Sequence, residues 1–376
     1  MEETAKKGYS GIGGQAVLEG VMMKNGEKYA VAVRKPDGNL TVEVEHYSGI
    51  TRGKTDKIPF VRGVVNFIDS LLLGMRTLNY SVSFYDAETE KEARRDSKRV
   101  HNDAKRSPGG ILVAVLSVII AVGIFVVLPT YLATFFEKFV RNDSLNAIIE
   151  GAIRILILLL YLILISSFKD IRRLYAYHGA EHKCINCLER GRILSVRNVA
   201  RSSRFHKRCG TSFIVLVVFI SVILFIFFRF DTLWLRMVIR VVTMPVIAGI
   251  SYEILRLAGR YDSIFLSIIS APGLWVQRIT TREPDKHMIQ TAIASVEAVF
   301  DWKEYLREAY DYEVTDAMVR EDEEEEDHIK INYKEDREEF ASINIDAAAE
   351  LDDDDLEEEP ELDIPLDEPD EDDWED

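Results

Sequence analysis

The chain has 376 residues and a formal net charge of −17 at pH 7, values that would suit an acidic soluble protein. The charge is segregated, however, because residues 321–376 hold 30 Asp and Glu against three Lys and Arg and so carry −27, whereas residues 1–320 carry +10. Four apolar runs in the basic part each reach about 20 residues, the length of a membrane-spanning helix. The composition therefore excludes a purely soluble protein and predicts an α-helical integral membrane protein with four transmembrane helices.

Residues 1–58 are predicted to form a small cytoplasmic β unit. Apolar and polar residues alternate over residues 14–47 around a Pro-Asp-Gly-Asn sequence at 36–39, which is typical of a hairpin turn. Glu19 lies in an otherwise apolar strand. An early glycine motif either forms a tight turn and strand that approach a ligand or packs as an edge strand under the loop 169–210; its residues are Gly13, Gly14, Gln15, Glu19, Met22 and Met23. Packing is favoured, and Glu19 is the candidate functional residue of the motif. Residues 59–109 are predicted to be an interfacial amphipathic helix followed by a basic linker.

The predicted transmembrane helices follow in the order 110–136, 147–168, 211–230 and 233–258. Lys and Arg number seven between Lys91 and Arg106, two between the first pair of spans and eleven between Lys169 and Arg208. Because positive residues are retained on the cytoplasmic side, both termini and the loop 169–210 are predicted to lie on the cytoplasmic side of an inner membrane.

Charged residues inside the spans are unusual. Arg240 and Glu253 lie in the fourth span, and Glu150 with Arg154 in the second span is a possible partner set. Charges in lipid are costly, so these residues either form an intramembrane ion network or anchor the helix ends at the interface. A transporter function rests on Arg240 and Glu253 alone, and we rank it last because no inverted repeat is visible.

The chain beyond the fourth span divides into two parts. Residues 259–313 are predicted to contain a short interfacial segment, broken by Pro and Gly, and an amphipathic cytosolic helix. Residues 314–376 are predicted to be a disordered acidic tail, since they repel each other and have few large apolar residues to bury. A solubilising role is favoured for the tail, and contact with basic partners is the alternative.

The loop 169–210 carries the strongest chemical signal. All three cysteines and three of the seven histidines fall within residues 178–209. His178 and His182 would share one face of a helix, with Glu181 beside them to activate a metal-bound water. This H-x-x-E-H order is the inverse of the metalloprotease motif H-E-x-x-H. The candidate metal ligands are His178, His182, Cys184, Cys187, His206 and Cys209.

The metal predicted for this loop is a divalent ion, with zinc preferred. Zinc takes imidazole and thiolate ligands, and cytoplasmic cysteines stay reduced. Three protein ligands plus water would make a catalytic site, whereas four would make a structural clamp. The metal-free alternative is that the histidines bind lipid headgroups and the cysteines are small buried apolar residues.

Several motifs together resemble the bacterial YqhQ-like family, a domain of unknown function described as metal-dependent membrane enzymes. The resemblance covers about residues 10 to 310 and rests on GGQAVLEGVMM (13–23), AVRKPDGNL (32–40), YHGAEHKCINCLERG (177–191), FHKRCGTSF (205–213) and TTREP (280–284). It implies a site formed by His178, Glu181, His182, His206 and Cys209. In the family GAEHK is more often followed by Thr, which implies that Cys184 is peripheral.

The first functional hypothesis is a metal-dependent hydrolase at the cytoplasmic face that acts on a lipid-linked or membrane-protein substrate. His178, His182 and either His206 or Cys209 would hold zinc, and Glu181 would be the general base. Arg204 or Arg208 would stabilise an anionic group. The alternative is a non-enzymatic scaffold or assembly factor with a structural Cys/His clamp. Membrane lipid is the implied partner in both cases, and no nucleic acid is predicted.

Overall fold

The structure is a computed structural model that describes residues 8–47, 49, 61–85, 116–137, 139–140, 142–227, 232–261, 263–315 and 317–319. The strands are β1 (Gly13–Val17), β2 (Gly20–Asn25), β3 (Lys28–Arg34) and β4 (Leu40–His46). The helices are α1 (Val61–Val82), α2 (Leu116–Glu137, with a π-helical turn at Gly123–Val127), α3 (Asp143–Ser166), α4 (Lys169–Glu189), α5 (Val196–Ala200), α6 (Gly210–Phe227), α7 (Leu233–Arg260), α8 (Ile264–Thr280), α9 (Lys286–Glu297) and α10 (Trp302–Tyr310). The predicted basic linker and nearly all of the predicted acidic tail lie outside the described residues.

An antiparallel sheet in the order β1-β2-β3-β4 confirms the predicted N-terminal β unit. The Pro-Asp-Gly-Asn turn joins β3 to β4, with Gly38 at a φ of +81° that glycine adopts without strain. One face of the sheet, including Val21 and Met23, packs on α4 and α9. The other face, including Val31 and Val33, packs against Leu73 of α1. The central strands β2 and β3 therefore pack against helices on both faces, whereas β4 is largely exposed.

Within the described residues, four helices are long and apolar enough to cross a membrane: Leu116–Glu137, Ser144–Ser166, Gly210–Phe227 and Leu233–Arg260. Their limits differ by a few residues from the predicted spans. Large apolar side chains such as Leu156, Leu164 and Val242 point outward from this bundle, as lipid contact requires.

Arg240 of α7 takes part in a buried ion network inside the bundle. One Glu150 oxygen pairs with Arg240, and the other lies 2.9 Å from Arg154 Nη2. Thr130 of α2 and Ser221 of α6 complete the contacts, at 3.0 Å from Glu150 Oε1 and 2.7 Å from Arg154 Nη1. Glu150, Arg154 and Arg240 are at most 5% exposed. Arg240 therefore belongs to an ion network between helices and is not merely an anchor at a helix end.

Glu253 belongs to a different contact. It pairs with Arg62 of α1, whose Nε lies 2.6 Å from Glu253 Oε1. A Cβ on Gly63 would lie 3.0 Å from the Gly249 carbonyl, so α1 and α7 are packed closely at this point. Arg240 and Glu253 therefore belong to two separate sets of contacts.

Two helices outside the four spans have apolar exposed faces. On α1 the exposed residues include Ile68, Leu71 and Leu72, and on α8 they include Phe265 and Ile268. The inner face of α8 packs across the start of α6, because a Cβ on Gly273 would lie 2.8 Å from Ser212. Both segments are helical, as predicted, and their position at the membrane interface stays a prediction.

The segment 169–210 is more regular than the predicted loop. Residues 169–189 form the single helix α4, which follows α3 after only Ser167 and Phe168. Apolar residues recur along α4 at helical spacing and pack on the sheet and α9; they include Tyr177, Ala180, Cys184 and Leu188. This apolar face explains why residues 169–189 form a helix, although their charged residues and metal-ligand pattern predict a loop.

We predict that Glu150→Gln lowers the free energy of unfolding by about 3 kcal/mol, because it leaves two buried arginines without a counter-charge. Thermal or denaturant unfolding of the detergent-purified chain measures the effect. Glu304→Gln is the matched control, since Glu304 pairs with exposed Arg307 and such pairs contribute less than about 1 kcal/mol. Equal stability of the two variants would contradict a structural role for the network.

Candidate metal centre

Three potential metal ligands meet where α4 passes the start of α6. His178 and His182 lie four residues apart on one face of α4, and Cys209 directly precedes α6. His178 Nε2 is 3.1 Å from Cys209 Sγ. One ligand atom from each of the three residues lies within 4.8 Å of the others, which identifies this group as metal-capable among the described residues.

Backbone carbonyls orient both imidazoles. His178 Nδ1 donates to the Thr280 carbonyl at 2.9 Å, and His182 Nδ1 donates to the Arg204 carbonyl at 2.6 Å. A carbonyl can only accept, so each Nδ1 carries a proton and each Nε2 is the ring nitrogen that remains for a metal. Such outer contacts fix the tautomer and the orientation of histidines that bind metals.

Electrostatics favour the charged forms of Cys209 and His178. Burial alone would raise the pKa of the Cys209 thiol, but the neighbouring His178 and His182 hold that pKa well below its usual value. Burial alone would lower the pKa of His178, but interactions led by those with the Cys209 sulfur have the opposite effect and raise that pKa to about 9. Without a metal the pair is therefore a thiolate beside an imidazolium, and a metal bound here would take the place of the proton on His178 Nε2; a thiolate is the form of cysteine that binds metal.

Glu181 lies beside the three ligands, on the side of α4 that faces β1. Burial raises the pKa of its carboxyl, against the lowering effect of His178 and His182. Glu181 is 5% exposed, and its Oε2 has no hydrogen-bond partner among the described residues. Gly14 makes room for it, because a Cβ there would lie 2.9 Å from Glu181 Cγ. The early glycine motif thus reaches the candidate site.

The donor set fits zinc. Tetrahedral zinc, with Zn–N of about 2.0 Å and Zn–S of about 2.3 Å, separates its nitrogen and sulfur ligands by about 3.5 Å. The 3.1 Å between His178 Nε2 and Cys209 Sγ would need to widen only slightly. Two imidazoles and a thiolate match the ligand preference of zinc, and a carboxylate oxygen without a partner is a group that metal-assisted chemistry can use.

His206 and Arg208, which the sequence also nominates, are engaged elsewhere. His206 Nδ1 is 2.8 Å from Asn186 Oδ1, and its Nε2 accepts from Arg208 Nε at 3.3 Å. The Arg208 guanidinium pairs with Glu189 and stacks on Tyr9 at 4.3 Å. The structure therefore does not bring His206 into the three-ligand group, and Arg208 stabilises the buried Glu189.

Cys184 and Cys187 lie in the apolar core between α4, the sheet and α9, apart from the three-ligand group. Burial raises the pKa of Cys184 well above its usual value, which disfavours the thiolate. The Cys187 thiol donates to the Ile193 carbonyl at 3.4 Å. Both residues behave as small buried side chains.

Glu19 connects the sheet to α4. It occupies the two-residue turn between β1 and β2 with a φ of +50°, and not a strand position. Its carboxylate accepts two hydrogen bonds from Arg173 and one from the Tyr177 hydroxyl at 3.2 Å. Glu19 therefore fixes the position of β1 along the helix that carries the ligands.

The segment 280–284 is the part of the site that sequence reasoning left without a role. It crosses α4 at Gly179, where a Cβ would lie 2.0 Å from the Arg282 carbonyl. Glu283 pairs with Arg204 at 2.6 Å and with Lys183, a 1% exposed lysine, at 2.9 Å. The TTREP motif marks this segment, but only the fold shows that it contacts His178.

Gly179→Ala is expected to destabilise the chain by about 2 kcal/mol or more, because the new methyl group collides with backbone that cannot rotate away. The displaced segment would also release the Thr280 carbonyl from His178. Thermal unfolding in detergent is the measurement, with Gly13→Ala as control, since a Cβ on Gly13 meets nothing within 4 Å. Equal melting temperatures for the two variants would refute the close crossing.

Similarity to known proteins confirms the family that the motifs indicate. Residues 58–302 match a family described as proteins of unknown function (DUF1385). The uncharacterized protein YqhQ of Bacillus subtilis (strain 168) is 34% identical over 288 residues, which cover 75% of this chain and 90% of that protein. No solved structure matches the chain. The matched region contains α4, Cys209 and the segment 280–284, and the chain belongs to the DUF1385 family, together with YqhQ.

Proposed function

We propose that the chain is a metal-dependent membrane hydrolase with zinc as its metal. One observation carries this proposal: two imidazoles and a thiolate converge beside a buried carboxylate oxygen that has no partner among the described residues. A structural zinc site would use four protein ligands, whereas a catalytic site keeps one position for water. His178, His182 and Cys209 supply three ligands, and Glu181 remains available as a base.

The residues of the site would divide the work as follows. A bound divalent ion supplies Lewis-acid activation of water. Glu181 Oε2 accepts the proton from the attacking water and passes it to the leaving group. The carbonyls of Thr280 and Arg204 hold the two imidazoles in the tautomer that leaves Nε2 for the metal. Burial against β1 limits competing water around the carboxylate.

The position of the site supports a substrate in or near the membrane. Cys209 directly precedes α6, and α4, which carries both histidines, follows α3 after two residues; α3 and α6 are candidate membrane spans. The many Lys and Arg of residues 169–208 favour the cytoplasmic side for this end of the bundle. A lipid-linked molecule or a membrane protein is therefore the substrate class we propose.

The second candidate is a non-enzymatic scaffold in which the metal is a structural clamp. The contacts that favour it are those that already connect α4 to the segments 204–209 and 280–284, since a metal on these residues would strengthen that connection. In this case Glu181 would become the fourth ligand. The two candidates differ in whether the metal keeps a position open to exogenous ligands.

We expect on the order of one zinc ion per chain in protein purified in detergent, and its loss in the His178→Ala/His182→Ala variant. Plasma mass spectrometry measures the metal. Cys184→Ala is the control, because this cysteine lies in the apolar core and should leave the metal content unchanged. Metal-free wild-type protein that remains folded would remove the basis for the hydrolase.

Glu181→Gln distinguishes the two candidates. If Glu181 is the base, the variant keeps its metal and loses hydrolysis by about 10²- to 10⁴-fold, because Gln cannot accept the proton. The cobalt-substituted protein gives a second readout. Thiocyanate should change its visible spectrum if a coordination position is open, and Cys209→Ser should abolish its thiolate-to-cobalt absorption band. Loss of metal from Glu181→Gln together with a spectrum insensitive to thiocyanate would favour the scaffold.

A further inference from the structure

A cleft with a strongly basic lining opens next to the candidate metal centre. It has a volume of about 410 Å³ and lies between the end of α3 and the segment that follows α8. The lining residues that matter for its chemistry are Arg204, Arg278, Arg282, Glu283, Ile163 and Ser166. None of these residues is a metal ligand in the group described above. The cleft is thus a separate surface with its own chemistry.

Among the residues that line the cleft, three are arginines and one is a glutamate. Glu283 is shared between Arg204, at 2.6 Å, and the buried Lys183, at 2.9 Å. One carboxylate therefore meets two cations before Arg278 and Arg282 are considered, and both of these arginines are exposed. Guanidinium groups recognise phosphate through paired, charge-assisted hydrogen bonds. Three guanidinium groups on one lining favour an anionic ligand with several oxygen acceptors.

The side of the cleft formed by α3 is apolar and adjoins side chains that point outward from the candidate membrane-spanning helices. Ile163 is 52% exposed, and its neighbour Leu164 is 64% exposed. Trp275, three residues before Arg278 on α8, is 65% exposed, as is common for tryptophan at a membrane interface. A ligand seated here would meet arginines at one end and lipid-facing side chains at the other. A phosphate-bearing headgroup attached to acyl chains has this same division.

The cleft and the metal centre share their backbone. Arg204 lines the cleft, and its carbonyl accepts from His182 Nδ1. Thr281 lines the cleft, and the carbonyl of the preceding Thr280 accepts from His178 Nδ1. A group bound among the arginines would therefore lie next to the two segments that orient the ligands. This adjacency is what a substrate-binding subsite requires.

We propose that the cleft binds the headgroup of an anionic, phosphate-bearing lipid, which places the substrate of the hydrolase in that class. The assignment of the substrate class rests on the proposed function, but binding of the lipid does not. Arg278 and Arg282 hold the phosphate, and Arg204 together with Lys183 neutralises Glu283. The acyl chains extend past Ile163 along α3.

The test measures binding to the full chain in detergent, by thermal shift and thermophoresis, with dioctanoyl phosphatidic acid, dioctanoyl phosphatidylcholine and inorganic phosphate as probes. We expect the wild type to prefer the anionic lipid, and Arg278→Gln/Arg282→Gln to weaken that binding by at least about tenfold. Arg190→Gln/Arg307→Gln removes the same charge from positions that do not line the cleft, and it should bind as the wild type does. Rising salt should weaken the wild-type affinity.

Three results would overturn the proposal: equal affinity for both lipids, unchanged affinity in the Arg278/Arg282 variant while it retains its melting temperature, or inorganic phosphate binding as tightly as the lipid. The last result would assign the cleft to a soluble anion. Glu181→Gln separates this inference from the proposed function, because it should bind the lipid normally whether or not the wild type hydrolyses it. Binding without hydrolysis would refute the enzyme and leave the lipid site in place.

Discussion

The close crossing of segment 280–284 over α4 at Gly179 is the constraint on which the rest of the site depends. Because residue 179 has no side chain, the backbone of Arg282 approaches the helix directly, and its N–H donates to the Tyr175 carbonyl at 2.9 Å. This contact places the Thr280 carbonyl against His178 and Glu283 against Lys183. The absence of a side chain at residue 179 therefore allows the contacts that orient His178, that position the pair of Lys183 and Glu283, and that form one wall of the basic cleft.

Two amide side chains that are not candidate ligands hold the irregular segment that precedes Cys209. Gln277 of α8 is fully buried, accepts from the backbone N–H of His206 at 2.9 Å and donates to its carbonyl at 2.7 Å. Asn186 donates to the carbonyls of Ser203 and Phe205. These amide side chains satisfy the backbone of an irregular segment that would otherwise have buried polar groups without partners. The segment can then deliver Cys209 to α4 without regular secondary structure.

The sequence predicts the local parts of this architecture and not the long-range ones. Hydropathy and length identify the four spans, and alternation with the Pro-Asp-Gly-Asn turn identifies the sheet, because each pattern depends on neighbouring residues. The spacing of His178 and His182 likewise follows from helical geometry alone. That Cys209 and not His206 completes the group of potential ligands does not follow from local pattern, because it depends on the contact between Asn186 and the His206 ring. The sequence pattern associates Glu253 with Arg240 because both lie on α7. Only the packing of α1 against α7 reveals Arg62 as the partner of Glu253.

The buried network of Glu150, Arg154 and Arg240 has a consequence for how the chain enters the membrane. An arginine within a membrane-spanning helix costs up to about 2.5–3.5 kcal/mol when the helix enters the membrane, and α7 carries Arg240. Its counter-charge lies on α3, which is synthesised earlier and presents Glu150 next to Arg154. We therefore expect α7 to integrate stably only after α3 has been inserted, so that the order of helices along the chain becomes part of the folding mechanism.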